Sequence, residues 1–157
     1  MNKELQSIIA DIENTLDGQP WYGRPVYALL NDVDPEKAFI RPNAQSFCMA
    51  EILYHMLTWS QFTLKRIEKD KIEDLDAFEK IDWRELDPKF HSWEEALSEF
   101  IATHQQIIAL LKTKDDSLLD ETVDYRKYNF RFLLNGFVDH SVYHVGQIIY
   151  ISKMLSS

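Results

Sequence analysis

Glycine and proline are scarce in this chain of 157 residues, which holds four glycines and five prolines. Together they make up about 6 % of the sequence, roughly half of their average share in globular proteins. A β-sandwich or a β-barrel needs many tight turns, and turns draw on these two residue types. The scarcity therefore predicts an all-α fold of few, long helices, and the length indicates a single domain over residues 1–157.

Cysteine and long apolar runs are also nearly absent. Cys48 is the only cysteine, which excludes an internal disulfide and is typical of a reducing cytoplasm. No apolar run approaches the roughly 18 residues that a membrane span requires. Residues 1–16 carry acidic side chains among the apolar ones and lack the unbroken apolar stretch of a signal peptide. We therefore expect a cytoplasmic protein with no membrane partner.

Basic residues are too few for a nucleic-acid partner. The chain has 17 lysines and arginines against 26 acidic residues, a net charge of −9. Proteins that bind DNA or RNA carry basic surfaces, because their affinity comes largely from releasing phosphate counterions. We expect a small-molecule substrate instead of a nucleic acid. The sequence leaves open whether two copies of the chain form a homodimer.

Apolar residues recur at helical spacing in four segments, which predicts four long helices. The segments cover residues 5–16, 48–66, 93–111 and 133–155, and Gly18 should end the first helix. Each of these helices would carry its recurring apolar residues in one stripe along its length, here called its apolar seam. Helices pack lengthwise against one another along such seams. The pattern is therefore typical of a four-helix bundle.

The connections between these segments are long, at residues 17–45, 65–87 and 114–130. The first contains short helical patches near Val26–Leu30 and Pro35–Phe39. The second holds 15 charged positions among 23, which predicts a solvated helix end and linker. Long connections allow neighbouring helices to run parallel as well as antiparallel. We expect a bundle with long crossover connections and short extra helices.

Four of the five histidines fall on the predicted apolar seams: His55, His104, His140 and His144. A neutral imidazole in a core must satisfy one donor and one acceptor nitrogen. One such residue is easily accommodated, but four desolvated imidazoles in one small core require an explanation.

Three of these histidines are candidates for a metal site. His140 and His144 are four residues apart, so they project from one helix face about 6 Å from each other. His55 lies at a similar mid-helix depth on another predicted helix. Three imidazoles at one level leave a fourth coordination position open, as in catalytic metal sites. The alternative is a hydrogen-bonded core network that includes Gln147.

Four further side chains are candidates for the surroundings of this triad. Glu51, one turn before His55, either orients that imidazole or stays a carboxylate at the rim. Trp59 and His104 either line a pocket, where His104 would carry protons, or belong to the core. Gln147 follows His144 by three residues and is placed to cap the same cavity.

Aromatic residues in the long connections are candidates for a substrate pocket. Tyr22 lies in the first connection, and Tyr128 lies with Arg126 in the last one. They either cover the open end of the bundle or only anchor the loops. Aromatic rings and one cation beside a metal would suit a substrate with an apolar body and a small anionic group.

Three stretches resemble the DinB-like superfamily. Residues 140–148, HSVYHVGQI, resemble its HxxYHxGQI signature. Residues 19–23, QPWYG, resemble the PWYG element of one branch. Residues 47–59, FCMAEILYHMLTW, resemble its second-helix motif, in which tryptophan follows histidine by four positions. The three matches occur in family order and span most of the chain.

The resemblance implies an up-down-down-up four-helix bundle with a divalent ion, zinc or nickel, on His55, His140 and His144. Characterised relatives are metal-dependent transferases that join a low-molecular-weight thiol to an electrophile, or use a thiol in isomerisation. The first functional hypothesis is therefore a thiol-dependent S-transferase, with no general base identified. The alternatives are a non-catalytic metal or small-ligand binding bundle and a metal-dependent hydrolase.

Overall fold

The computed structural model describes residues 2–72 and 74–156, and these residues are predominantly helical. Their α-helices, in chain order, are α1 (Lys3–Asp17), α2 (Val26–Asn31), α3 (Met49–Glu68), α4 (Leu75–Glu79), α5 (Trp93–Leu111) and α6 (Phe130–Leu155). Short 3₁₀ turns cover Pro35–Lys37 and Asp116–Asp120. Within the described ranges there is no β-strand, and Thr122 and Asn129 form one isolated antiparallel bridge. The predicted all-α fold is confirmed.

The four long helices are α1, α3, α5 and α6, and they share one hydrophobic core. Helices α1 and α3 each contact both α5 and α6. The predicted seams supply many of the buried side chains, among them Leu5, Ile12, Ile52, Phe62, Phe100, Ile107, Phe137 and Ile148. This packing sets α3 alongside α6, which carry the three candidate histidines. The up-down-down-up order of helix directions stays a prediction.

Side-chain caps fix where the helices begin. The Ser92 hydroxyl oxygen accepts a hydrogen bond from the Glu95 N–H at 3.2 Å, at the start of α5. The Asn129 amide oxygen accepts one from the Phe132 N–H at 3.0 Å, at the start of α6. Such caps satisfy N–H groups that have no partner inside the helix. The register of α6, and with it the positions of His140 and His144, follows from this start.

Helix α1 ends at Gly18, as the sequence predicts. The Gly18 N–H donates to the Asn14 carbonyl at 3.0 Å. A Cβ atom on residue 18 would lie 2.4 Å from the Asn14 side-chain oxygen and 2.8 Å from the Asn14 Cα. Atoms this close would clash, so the chain can turn here only because the residue is glycine.

The prediction of a solvated helix end and linker over residues 65–87 is wrong in part, since a helix end is present but the linker is not fully solvated. The segment forms the end of α3 and the short helix α4, whose Phe78 is buried. Phe78 packs edge-on against Phe62 of α3, with ring centroids 5.4 Å apart. Burial of this large apolar side chain helps to hold the highly charged segment against the bundle.

None of the helices in the described ranges has the length and apolar character needed to cross a membrane.

Candidate metal centre

Three imidazole rings converge between α3 and α6. The Nε2 atom of His55 lies 3.0 Å from Nε2 of His140 and 3.1 Å from Nε2 of His144. One ring nitrogen from each of the three lies within 4.8 Å of the others. His140 and His144 share a face of α6 because they are one helical turn apart. The structure thus brings together the three histidines that the sequence singles out.

Hydrogen bonds to residues outside the triad determine which ring nitrogen of His55 and of His144 faces the centre. The Asp82 carboxylate accepts from Nδ1–H of His55. The Gln147 side-chain oxygen accepts from Nδ1–H of His144 at 2.7 Å. Because both partner atoms are acceptors, each ring carries its proton on Nδ1. The Nε2 lone pairs of His55 and His144 therefore point toward the centre, as in histidines that bind metals.

These lone pairs make the centre a place where a positive charge would be stabilised. Two unprotonated nitrogens 3.1 Å apart repel each other unless a positive charge lies between them. A proton on His55 Nε2 could bridge to only one neighbour, whereas a cation can serve all three nitrogens. A tetrahedral ion with bonds of 2.0–2.1 Å holds its nitrogen ligands about 3.3 Å apart. The two separations from His55, 3.0 Å and 3.1 Å, are compatible with one divalent ion.

Burial keeps two of the rings neutral. It lowers the pKa of His140 to about 3, and the nearby His144 and His55 add to the effect. Burial also lowers the pKa of His144. A neutral imidazole offers its lone pair to a metal, whereas an imidazolium cannot. His140 and His144 are therefore ready to bind an ion at neutral pH.

Trp83 forms one wall of the centre. Its ring stacks on the His55 imidazole, with centroids 4.0 Å apart and planes 10° from parallel. Phe47 stacks against Trp83 in turn, at 4.1 Å. Arg84 anchors this segment to α3, since its guanidinium donates to the Thr58 hydroxyl at 2.5 Å. The stack limits rotation of the His55 ring and keeps its Nε2 atom aimed at the centre.

An open cleft of about 410 Å³ extends along α6 from His140. Trp59 and Tyr128 line it, so two of the sequence-predicted pocket residues lie beside the triad. Arg126 lines the same cleft. The cleft is large enough for a small organic molecule.

The other candidate residues lie elsewhere. The Glu51 carboxylate accepts from the Cys48 N–H at 2.8 Å and pairs with Arg41, so its contacts are at the N-terminus of α3. His104 is fully buried, and its Nδ1–H donates to the Phe100 carbonyl at 2.6 Å. Tyr22 is 46 % exposed, and it is not among the residues that line the cleft.

Sequence reasoning missed Asp82 and Trp83, which supply the hydrogen bond and the stacking contact of His55. Both lie in the charged segment that was predicted to be a solvated linker. Trp83 was a local signal that this segment packs against the bundle, since a large aromatic side chain rarely stays fully in solvent. Its side chain packs on His55 and is still 42 % exposed.

One of three comparisons with known proteins gave a match, and it agrees with the all-α fold. The family profile described as the DinB superfamily matches residues 24–148, which include all three histidines of the centre. Neither the curated proteins nor the solved structures gave a match. Since the family match spans well over half of the chain, this protein belongs to the DinB superfamily.

Proposed function

We propose that this protein is a metal-dependent enzyme that binds one divalent ion through His55, His140 and His144 and transfers a low-molecular-weight thiol to an electrophile. The observation that carries the proposal is the convergence of three ring nitrogens within 4.8 Å, two of them with lone pairs aimed inward. Zinc and nickel are the expected metals, because both accept imidazole ligands readily.

The chemistry requires a positive charge that the ligands do not cancel. Three neutral imidazoles add no negative charge, and they leave one coordination position for a reactant. When bound, a divalent ion supplies Lewis acidity, which lowers the pKa of a thiol or of water and creates a nucleophile at neutral pH.

The chain's own residues would orient the ligands and hold the second reactant. Asp82 fixes the proton of His55 on Nδ1, and Gln147 does the same for His144. Trp83 excludes water from one face of His55 by stacking on it. The cleft beside His140 would receive the electrophile, with Trp59 and Tyr128 against its apolar part.

Turnover of a model electrophile tests the proposal. Purified protein is incubated with 1-chloro-2,4-dinitrobenzene and, in turn, with cysteine, glutathione or coenzyme A, before and after removal of metal by a chelator. The spontaneous rate of each thiol with the electrophile, measured without protein, is subtracted from every product rate. We expect thiol-dependent product formation above that rate, which disappears with the metal and returns when zinc or nickel is added. His144→Ala should abolish it, because one ligand is lost.

His91→Ala is the matched control, since His91 lies outside the triad and bonds to the Asp87 backbone. This variant should turn over like the parent protein. Product formation that survives chelation, or that is equal in His144→Ala, would contradict the proposal. Hydrolysis without added thiol would favour the hydrolase alternative. Bound metal without any turnover would favour the non-catalytic one.

A further inference from the structure

Arg126 is the one charged side chain among the residues that line the cleft beside His140. It comes from the connection between α5 and α6, and its backbone N–H donates to the Val123 carbonyl at 3.0 Å. The rest of the lining is mostly aromatic and aliphatic. The cleft therefore has one cationic side chain in its lining, and His140 of the candidate metal centre also borders it.

The guanidinium group of Arg126 lies among aromatic rings. Its central carbon is 5.6 Å from the Trp59 ring, 5.5 Å from the Phe62 ring and 5.8 Å from the Tyr128 ring. Such contacts hold the cation in place, but they do not use its N–H groups. The buried Nε atom has no hydrogen-bond partner among the described residues.

Three other arginines of this acidic chain pair with carboxylates, whereas Arg84 donates to the Thr58 hydroxyl and the Ile81 carbonyl. Arg24 pairs with Asp32, Arg41 pairs with Glu51, and Arg131 pairs with both Glu4 and Asp120.

For Arg126, no ion pair forms within residues 2–72 and 74–156. In a protein with a net charge of −9, an arginine held without an acidic partner in a cleft is available to an external anion.

We propose that Arg126 is the anion-binding residue of this cleft and that it takes the carboxylate of a substrate with an apolar body. The inference rests on the proposed function, since it names the class of electrophile that the enzyme would use. The carboxylate would lie against Arg126, and the apolar body would extend along the aromatic lining toward His140.

The chemistry of the lining favours a monocarboxylate. A guanidinium donates two parallel hydrogen bonds to a planar carboxylate, which is the geometry this side chain matches best. One cation balances one negative charge, so a dianion such as a phosphate monoester would keep an uncompensated charge in an apolar site. The Thr63 hydroxyl also lines the cleft, but it already donates to the Trp59 carbonyl at 2.8 Å.

The remaining lining suits an apolar body. Phe132 is 67 % exposed and borders the cleft, so its ring is free to contact a ligand. Gly136 gives the cleft width along α6, since a Cβ atom built there would meet nothing within 4 Å. Removing such apolar surface from water is the main source of affinity for a hydrophobic ligand.

Binding of a charged and a neutral probe tests the inference. Metal-free, full-length protein is titrated calorimetrically with 3-phenylpropionate and with 3-phenylpropionamide, which differ in the carboxylate. We expect the carboxylate to bind at least about tenfold more tightly. Arg126→Gln should make the affinities for the two probes equal. Arg126→Lys should give an intermediate ratio of affinities, because lysine keeps the positive charge but cannot donate two parallel hydrogen bonds to the carboxylate. Equal affinities in the parent protein would overturn the inference.

Lys127→Gln is the matched control for charge, because it removes one positive charge from the neighbouring exposed residue. It should leave the affinity for 3-phenylpropionate unchanged. If Lys127→Gln weakens binding as much as Arg126→Gln does, the effect is one of net charge and Arg126 is not the binding residue.

A second pair of variants tests where the carboxylate probe binds, and it serves if Arg126→Gln fails to fold. Gly136→Leu should fill part of the cleft and abolish binding of both probes, since a Cβ atom at this position meets nothing within 4 Å. Gly146→Leu is its control, because Gly146 lies on the same helix with equally open space and does not line the cleft. Unchanged affinity in Gly136→Leu would place the carboxylate site elsewhere and overturn the inference.

The same titrations separate this inference from the proposed function. Carboxylate binding that requires added zinc and is insensitive to Arg126→Gln would place the anion on the metal, which overturns the role of Arg126 alone. Binding to metal-free protein that depends on Arg126 supports the subsite, even where no thiol transfer is found.

Discussion

The carboxylate of Asp82 accepts a hydrogen bond from Nδ1–H of His55, although 27 positions separate the two residues in the chain. Asp82 follows α4 and reaches α3 from outside the bundle. This bond keeps the proton of His55 on Nδ1 and leaves Nε2 free, 3.0 Å from His140 and 3.1 Å from His144. The charged segment 65–87 therefore completes the candidate metal centre.

Replacing Asp82 with asparagine should weaken metal binding by roughly 10–100-fold, the usual cost of losing a hydrogen-bond partner of a metal-binding histidine. Asparagine has a similar shape, but it removes the negative charge that favours the Nδ1–H tautomer. Zinc affinity measured by competition with a chromogenic chelator checks this. Glu85→Gln removes a charge from the same segment and should leave the affinity unchanged. Equal affinities for all three proteins would show that Asp82 does not orient His55.

His104 should make the stability of the fold depend on pH. Burial lowers its pKa to about 4 from an ordinary value of 6.5, so the unfolded chain takes up a proton at a higher pH than the folded one. The free energy of unfolding should therefore fall as the pH drops from about 6.5 toward 4. Between pH 7.5 and pH 5, this one group accounts for about 2 kcal/mol.

Urea unfolding of metal-free protein at these two pH values measures the effect. His104→Gln removes the titrating group, so its loss of stability on acidification should be smaller than that of the parent protein by about 2 kcal/mol. Every other side chain is the same in the two proteins, so the contributions of the other groups cancel in the comparison. An identical pH slope for the parent and His104→Gln would contradict the burial of this imidazole.

Two glycine-to-alanine substitutions should change stability in opposite directions. Gly146 lies in the interior of α6 with no atom within 4 Å of a new Cβ, so alanine should raise the free energy of unfolding by up to about 1 kcal/mol. At Gly18 the same methyl group would lie 2.8 Å from the Asn14 Cα, so alanine should destabilise the fold by about 1–3 kcal/mol. Chemical denaturation measures both, and a stabilised Gly18→Ala would refute the close approach at the end of α1.

Helical spacing was sufficient to predict which histidines meet. His140 and His144 share a face because of their separation of four, and His55 lies on the buried seam of α3. These relationships depend on the periodicity of single helices and on the burial of apolar faces, both of which can be deduced from the sequence.

The residues that orient His55 could not be predicted in this way. The positions of Asp82 and Trp83 depend on how the chain folds back after α4, and no period in the sequence encodes that path. Their contacts are fixed by tertiary packing, such as Phe78 against Phe62 and Arg84 against Thr58. Among the carboxylates, Glu51 was the nearer candidate in sequence, but the N-terminus of α3 and Arg41 engage it.

Of the two candidate aromatics in the long connections, Tyr128 lines the cleft and Tyr22 does not. This difference also depends on tertiary packing. Residues 114–130 lead directly into α6, so Arg126 and Tyr128 are carried to the cleft by the helix that holds His140. Tyr22 lies in the turn between α1 and α2, and the sequence alone does not determine where that turn lies relative to the centre. Aromatic content indicated that both connections pack, but it did not indicate against which surface.

The metal content of the purified protein tests the central claim most directly. Elemental analysis by mass spectrometry should find one divalent ion per chain in the parent protein and in His91→Ala, and far less than one in His140→Ala and in His144→Ala. Circular dichroism should show that all four proteins are helical, so that loss of metal reports loss of a ligand. One ion per chain in both His140→Ala and His144→Ala would contradict the assignment of the metal to these three histidines.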